Sequence, residues 1–312
     1  MESFIVADVG GTNIRVAVFP THDTQPVAIK KIRTVEQSQT PLDRLIGLIH
    51  QMWPKDGTVR AIVVAVPGFL DPTKGYIFVA DNVPGWIDLP IRDLLYAEFS
   101  IPVLIGNDAN LAALGEWRFG AGVGYHNILY LTISTGIGGG VIIDDRLLLG
   151  QRGLAAEFGH VTVVPDGPKC NCGQRGHLEA VASGPAIARF VNEKITLGFP
   201  SSLSGRANLT AKDVAEAAIA GDPLAMRAVS QAGMYIGFAL ADFLHLLNPA
   251  IVILGGGVST SGDIIIDPIR AALPERIMDH GYIDELIVTT AKLGDDAGLM
   301  GALALAESVQ YQ

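Results

Sequence analysis

Apolar and polar residues follow two periods along this chain, and the points where one gives way to the other mark its elements. Phe4 to Phe19 runs apolar into Asp8, breaks at Gly10-Gly11-Thr12-Asn13 and resumes as Ile14 to Phe19 around Arg15, which predicts strand, glycine turn, strand. The plan returns later. Ile128 to Ile143 runs apolar through Thr132, turns at Thr135-Gly136-Ile137-Gly138-Gly139-Gly140, and leaves as Val141-Ile142-Ile143 before the polar Asp144-Asp145. Each hairpin is followed downstream by a short apolar run ending in glycine, Ala61 to Gly68 and Ala250 to Gly257. A plan repeated in this order predicts a duplicated α/β unit, with two related domains whose glycine turns converge on one cleft.

Helical spacing fills the gaps. Leu42, Leu45, Ile46, Leu48 and Ile49 make one face of a helix over Pro41 to Met52, and Asn110 to Phe119 has the same pattern. Thr210 with Asp213 predicts a capping box opening a helix over Ala211 to Ala220. Asp222-Pro223 opens a long helix that stops before Pro249, with Met234, Phe238, Ala241, Leu244 and Leu247 as a core stripe. Gly198 to Asn208, rich in Ser and Gly, is expected to be a mobile loop. The expected division is a smaller domain over 1–109 and a larger one over 110–296, with a last helix over 297–312 packing back on the first.

The chain has 312 residues, of which 49% are hydrophobic and 17% charged. That charged share is below the roughly 25% usual in soluble domains, so apolar surface buried between subunits is expected, in a homo-oligomer such as a dimer or tetramer. A net charge of −10 without a basic stripe argues against a nucleic-acid partner. No run of 18 apolar residues suggests a membrane span, and no basic-then-apolar leader is evident, so a cytoplasmic location is expected. The two cysteines stand two apart, which suits a reducing compartment.

Those cysteines lie in a cluster of metal-type ligands. His160, Cys170, Cys172 and His177 supply four N and S donors, the set a closed structural Zn2+ site takes, and Gly173 and Gly176 allow a tight loop around an ion. Such an ion would aim the neighbouring Glu157, His160 and Glu179 at a ligand. Against this stands the possibility of two buried thiols and two surface histidines, since Cys-x-Cys is tighter than the common spacer.

The string Asp8-x-Gly10-Gly11-Thr12-Asn13-x-Arg15 leads from strand to strand, which excludes a P-loop and departs from the dinucleotide fingerprint, whose glycines open a helix. Glycines at a hairpin turn can still offer amides to phosphate oxygens, with Thr12, Asn13 and Arg15 adding donors and charge, and Asp8 able to hold a metal-bound water. An ordinary hairpin is the alternative. Thr135-Gly136 and Gly255-Gly256-Gly257 at matching places favour the phosphate reading, with the triplet a place for a nucleoside. Asn107-Asp108 follows an apolar strand, at the rim where α/β proteins bind ligands. Asp108 is either a plain N-cap or a base for phosphoryl transfer. Asn82, beside the Asp81 to Trp86 turn, joins Asn107, Asp108, Glu157, His160 and Glu179 in a set suited to a neutral polyol; Trp86 itself reads as a neighbour or core.

On these residues the chain resembles the ROK family of sugar kinases and regulators over essentially its full length, and most closely the bacterial ATP-dependent glucokinases. The resemblance implies a duplicated actin-like, ribonuclease-H-like fold with the active site between two domains. It implies Mg-ATP at Asp8, Gly10, Gly11, Thr12, Thr135, Gly136 and Gly255 to Gly257, a catalytic pair at Asn107 and Asp108, and sugar ligands at Glu157, His160 and Glu179. Where the family signature carries a third cysteine this chain has His177, so a zinc ion is expected to stay with weaker binding. The expected reaction is phosphorylation of glucose at its 6-hydroxyl. Other hexoses or N-acetylhexosamines (fructose, mannose, N-acetylglucosamine, N-acetylmannosamine) and a non-catalytic sugar-sensing regulator are the alternatives. No helix-turn-helix precedes residue 4, and a nicotinamide dehydrogenase is disfavoured by the hairpin after Gly10-Gly11.

Overall fold

The computed structural model describes residues 1–80 and 82–308. Its first half runs β1 (Glu2–Val9), β2 (Asn13–Pro20), β3 (Ala28–Arg33), α1 (Pro41–Met52), β4 (Thr58–Val66), β5 (Phe69–Asp71), β6 (Tyr76–Val79), β7 (Ile87–Leu89), α2 (Ile91–Phe99), β8 (Val103–Asn107). The remainder runs α3 (Asp108–Phe119), β9 (Ile128–Ile133), β10 (Ile137–Ile143), β11 (Arg146–Leu147), α4 (Leu178–Ala182), α5 (Gly184–Thr196), α6 (Ala211–Ile219), α7 (Pro223–Leu247), β12 (Ile251–Gly255), α8 (Asp263–Ala272), β13 (Ile287–Thr290), α9 (Ala297–Ser308). Among the described residues no helix is long and apolar enough to cross a membrane.

Two five-stranded sheets share one order, β3-β2-β1-β4-β8 and β11-β10-β9-β12-β13. In each, the first hairpin is antiparallel and the fourth and fifth strands in the order run parallel to its first strand. This is the duplicated actin-like, ribonuclease-H-like architecture. A short third sheet, β5-β6-β7, is attached to the first half.

Strand alternation sorts the apolar residues into layers. In β1, Ile5, Ala7 and Val9 face the core with α1 and α2, while Phe4 and Val6 face α3 and α9. In β9, Leu129, Leu131 and Ile133 face the core with α4 to α8, while Ile128 and Tyr130 face α3 and α9 from the other side. Helices α3 and α9 therefore form a shared layer between the sheets. They meet closely enough that a Cβ on Gly301 would fall 1.7 Å from the Leu111 carbonyl oxygen, so only glycine fits there. Helix α9 also packs on β1 and β4. Residues 309–312 of the expected last helix lie outside the described residues.

Side-chain caps set several helix ends. Thr40 with Asp43 and Thr210 with Asp213 form complete capping boxes. Helix α3 starts at Asp108 rather than Asn110, because the Asn107 side chain takes the N-cap. The expected mobile loop at 198–208 is corrected by Asp222: one oxygen caps α7 through Leu224 N and Ala225 N, and the other accepts from the Ser201 and Ser202 hydroxyls and Ser202 N. Leu203 in that loop is buried in the core.

Candidate functional site

The C-terminal ends of β1, β9 and β12 open onto a cleft of about 530 Å3 between the two sheets. Asp8, Asp108, Thr132, Ser134, Gly255 to Gly257, Thr290, Gly294 and Asp295 line it. Of the residues lining it, none is Lys or Arg.

Asp108 is the first residue of α3. Its carboxylate accepts one backbone bond, from Ala109 N at 2.8 Å. Burial pushes its pKa up to about 7 against that bond, and the Asp8 and Glu157 carboxylates add to the rise. Asp8 is also raised, mainly by burial, with Arg15 opposing and Asp295 and Asp296 adding. Two desolvated carboxylates facing one cleft without a lining cation favour a group that brings positive charge or a proton with it.

The turn at Gly10 is closed by Gly10 N to Asn13 O at 2.9 Å and held from outside by Thr34, a buried residue that was not anticipated: its hydroxyl donates to Gly10 O at 2.5 Å and its amide to Thr12 O at 2.9 Å. Gly11 and Thr12 stay exposed. Gly11 abuts the loop at Asn82, where a Cβ would come 2.7 Å from the Asn82 carbonyl oxygen. Trp86, in the same loop, is buried in the first core.

Arg15 is not a free charge beside the turn. Its guanidinium donates to Asp295 O at 2.7 Å and pairs with the Asp296 carboxylate. Asn107 is likewise committed: Oδ1 accepts from Ala109 N and Asn110 N, and Nδ2 donates to Gly68 O at 3.2 Å. Thr135 is exposed beside the cleft rather than lining it, and its neighbour Ser134 takes that place.

A second cluster lies against the first. Ala156 sits at φ 69° and Glu157 closes a tight turn, Phe158 N donating to Ala156 O at 2.8 Å, so the Glu157 side chain is set by a strained backbone. Its pKa is raised by burial, lowered by His160 and raised by Glu179. Glu179, in the first turn of α4, accepts from Ile137 N at 3.0 Å and lies 3.6 Å from Cys170 Sγ, which ties the second glycine turn to the cysteine loop. Nδ1 of His160 is 3.7 Å from Cys170 Sγ, and Nδ1 of His177 is 3.3 Å from Cys172 Sγ. One donor atom from each of the four residues falls within 4.8 Å of all the others. Two sulfurs and two imidazoles at that separation fit a single tetrahedral ion of the zinc type.

The structure thus brings Asp8, Asp108 and Gly255 to Gly257 to one cleft, and Glu157, His160 and Glu179 to its neighbour cluster. Ser134, Thr290 and Asp295 line the cleft and were not anticipated.

A model of the ROK family matches residues 4–309. A glucokinase of Halalkalibacterium halodurans is 40% identical over 96% of this chain and 93% of its own. Among solved structures, a ROK family glucokinase from Streptomyces griseus in complex with glucose and AMPPNP is 33% identical, covers 98% of this chain and 99% of its own, and has a TM-score of 0.82. A ROK family transcriptional regulator, a homologue of the E. coli MLC protein, is 27% identical with a TM-score of 0.91, covering 99% of this chain and 78% of its own.

Proposed function

The chain belongs to the ROK family, and from that premise we propose that it transfers the γ-phosphoryl group of ATP to the 6-hydroxyl of glucose. The observation that carries this is Asp108, a half-buried carboxylate at the wall of the cleft whose pKa desolvation pushes up to about 7. A group so placed takes a hydroxyl proton near neutral pH. As the sugar oxygen bonds to the γ-phosphorus and the bond to the bridging oxygen of ADP breaks, Asp108 accepts the proton, and ADP leaves with the bridging oxygen. The protein's part is otherwise positioning and charge stabilisation.

Glu157, His160, Glu179 and Asn82 suit the sugar hydroxyls, being acceptors and neutral donors without a cation among them. Asn107 serves by fixing the start of α3, which aims Asp108. The amides of the Gly10 to Asn13 and Thr135-Gly136 turns suit the phosphates, and the Gly255 to Gly257 segment the nucleoside. Arg15 acts by holding the wall at 295–296. Asp8 would hold Mg2+, which when bound offsets phosphate charge. His160, Cys170, Cys172 and His177 would hold a structural zinc ion that orders the loop behind Glu179.

The absence of Lys and Arg from the cleft lining favours a nucleotide, which brings its own Mg2+, over a long inorganic polyanion. A second reading, a sugar-sensing regulator, is favoured by the higher TM-score to the transcriptional regulator. One assay separates them. Purified protein is given ATP or inorganic polyphosphate with glucose, mannose, fructose, N-acetylglucosamine or N-acetylmannosamine, and ADP release and sugar phosphate are followed. The highest kcat/KM is expected for ATP with glucose. Sugar binding without phosphorylation would replace this assignment by the regulator.

A further inference from the structure

Glu116 is fully buried at 0% exposure, and among the described residues no cation pairs with it. Its carboxylate is satisfied by backbone alone. Ala121 N at 2.7 Å and Lys292 N at 3.1 Å donate to Oε2, and Leu293 N at 2.7 Å donates to Oε1. Among the described residues backbone amides are its only hydrogen-bond partners, so the carboxylate and the segment carrying residues 292 and 293 fix each other.

That segment joins β13 to α9, and its Ala291, Gly294 and Asp295, with Thr290 at the end of β13, form one wall of the cleft. Glu116 itself does not line the cleft. Asp108, Ala112 and Glu116 are spaced by four on α3 and so share one face, with Ala112 on the cleft floor between them. Eight residues of helix span about 12 Å, shorter than an extended nucleoside triphosphate. The helix that presents the Asp108 carboxylate thereby also fixes the cleft wall at residues 290–295. Arg15 holds the same wall from the first sheet, through Asp295 O and Asp296.

We propose that Glu116 is a positioning residue for the nucleoside end of the phosphoryl donor: by anchoring the amides of Lys292 and Leu293 it keeps the 290–295 wall where the nucleoside is held. The inference rests on the cleft being the ATP site. It assigns to Glu116 an effect on nucleotide affinity that leaves the phosphoryl-transfer step and the sugar site largely alone, because Glu116 does not line the cleft and its carboxylate bonds only the amides of residues 121, 292 and 293.

Glu116→Gln tests it, since the amide nitrogen must face an N–H donor where an acceptor is needed. KM for ATP and Kd for MgADP by calorimetry are expected to rise about tenfold, with kcat and KM for glucose changed by less than about twofold. Unchanged ATP parameters would overturn the proposal, as would an equal loss in ATP affinity, glucose affinity and turnover, which marks general loosening. Should Glu116→Gln not fold, hydrogen exchange on the unaltered protein decides. The Lys292 and Leu293 amides should gain protection with MgADP and not with glucose alone, and no gain with MgADP overturns the proposal. Unaltered protein that neither binds MgADP nor phosphorylates sugar defeats the reading of the cleft itself, and the inference with it.

Discussion

Helix α3 carries a carboxylate near each end, half-buried at Asp108 and fully buried at Glu116, and the two differ in what meets their oxygens. Asp108 receives one backbone donor on the oxygen that the Ala109 amide reaches, has Asp8 and Glu157 as like-charged neighbours, and is pushed by burial to about 7. Glu116 receives three backbone donors from two segments far apart in sequence. Burial is common to both, so burial alone does not decide what a carboxylate does. The supply of donors decides. A carboxylate with unfilled acceptor capacity beside a cleft can take up a proton during a reaction, whereas one saturated with amides is fixed in place and fixes its partners.

The contrast can be broken most directly at the Asp108 end. Asp108→Asn keeps the size and the acceptor for Ala109 N but removes the basic oxygen, and turnover is expected to fall on the order of 100-fold or more while sugar binding by calorimetry is largely kept. Retained turnover would erase the distinction between the two ends. A smaller effect, the tenfold loss of nucleotide affinity in Glu116→Gln, marks the other end. Sharpening the contrast further calls for a change that touches neither. With zinc held by His160, Cys170, Cys172 and His177 as proposed, chelation would loosen the loop behind Glu179, so KM for glucose should rise by up to about tenfold and KM for ATP by less. Metal content by elemental analysis before and after, with the two KM values, checks this; an ATP effect larger than the sugar effect would contradict the separation of the two supports.

Much of the frame was legible because the signals are local. The two hairpins announced themselves by strand alternation broken at glycine, and their identical order made the duplication readable before any contact was known. Thr210 with Asp213, and Asp222 with Pro223, marked helix starts through side-chain acceptors placed for the first free amides. The cysteine and histidine spacing placed four donors around one point. What escaped depends on partners distant in sequence. Glu116 looks like any surface glutamate of a helix until residues 292 and 293 fold onto it. Arg15 looked free to meet phosphate, yet Asp296 lies against it across 281 positions of chain. The 198–208 loop has the composition of a mobile segment, but the second oxygen of Asp222, invisible to a capping pattern, pins its serines. Asn107 and Asp108 were separable only by geometry, which gives the cap to the first and leaves the second facing the cleft.

The pH dependence of kcat between about 5.5 and 8.5 tests the central claim most directly. A base that must be ionised to accept the hydroxyl proton, with a pKa raised to about 7, predicts near-constant turnover above that value and a fall approaching tenfold per pH unit below it. A flat profile down to pH 5.5 would contradict the assignment of Asp108 as that base.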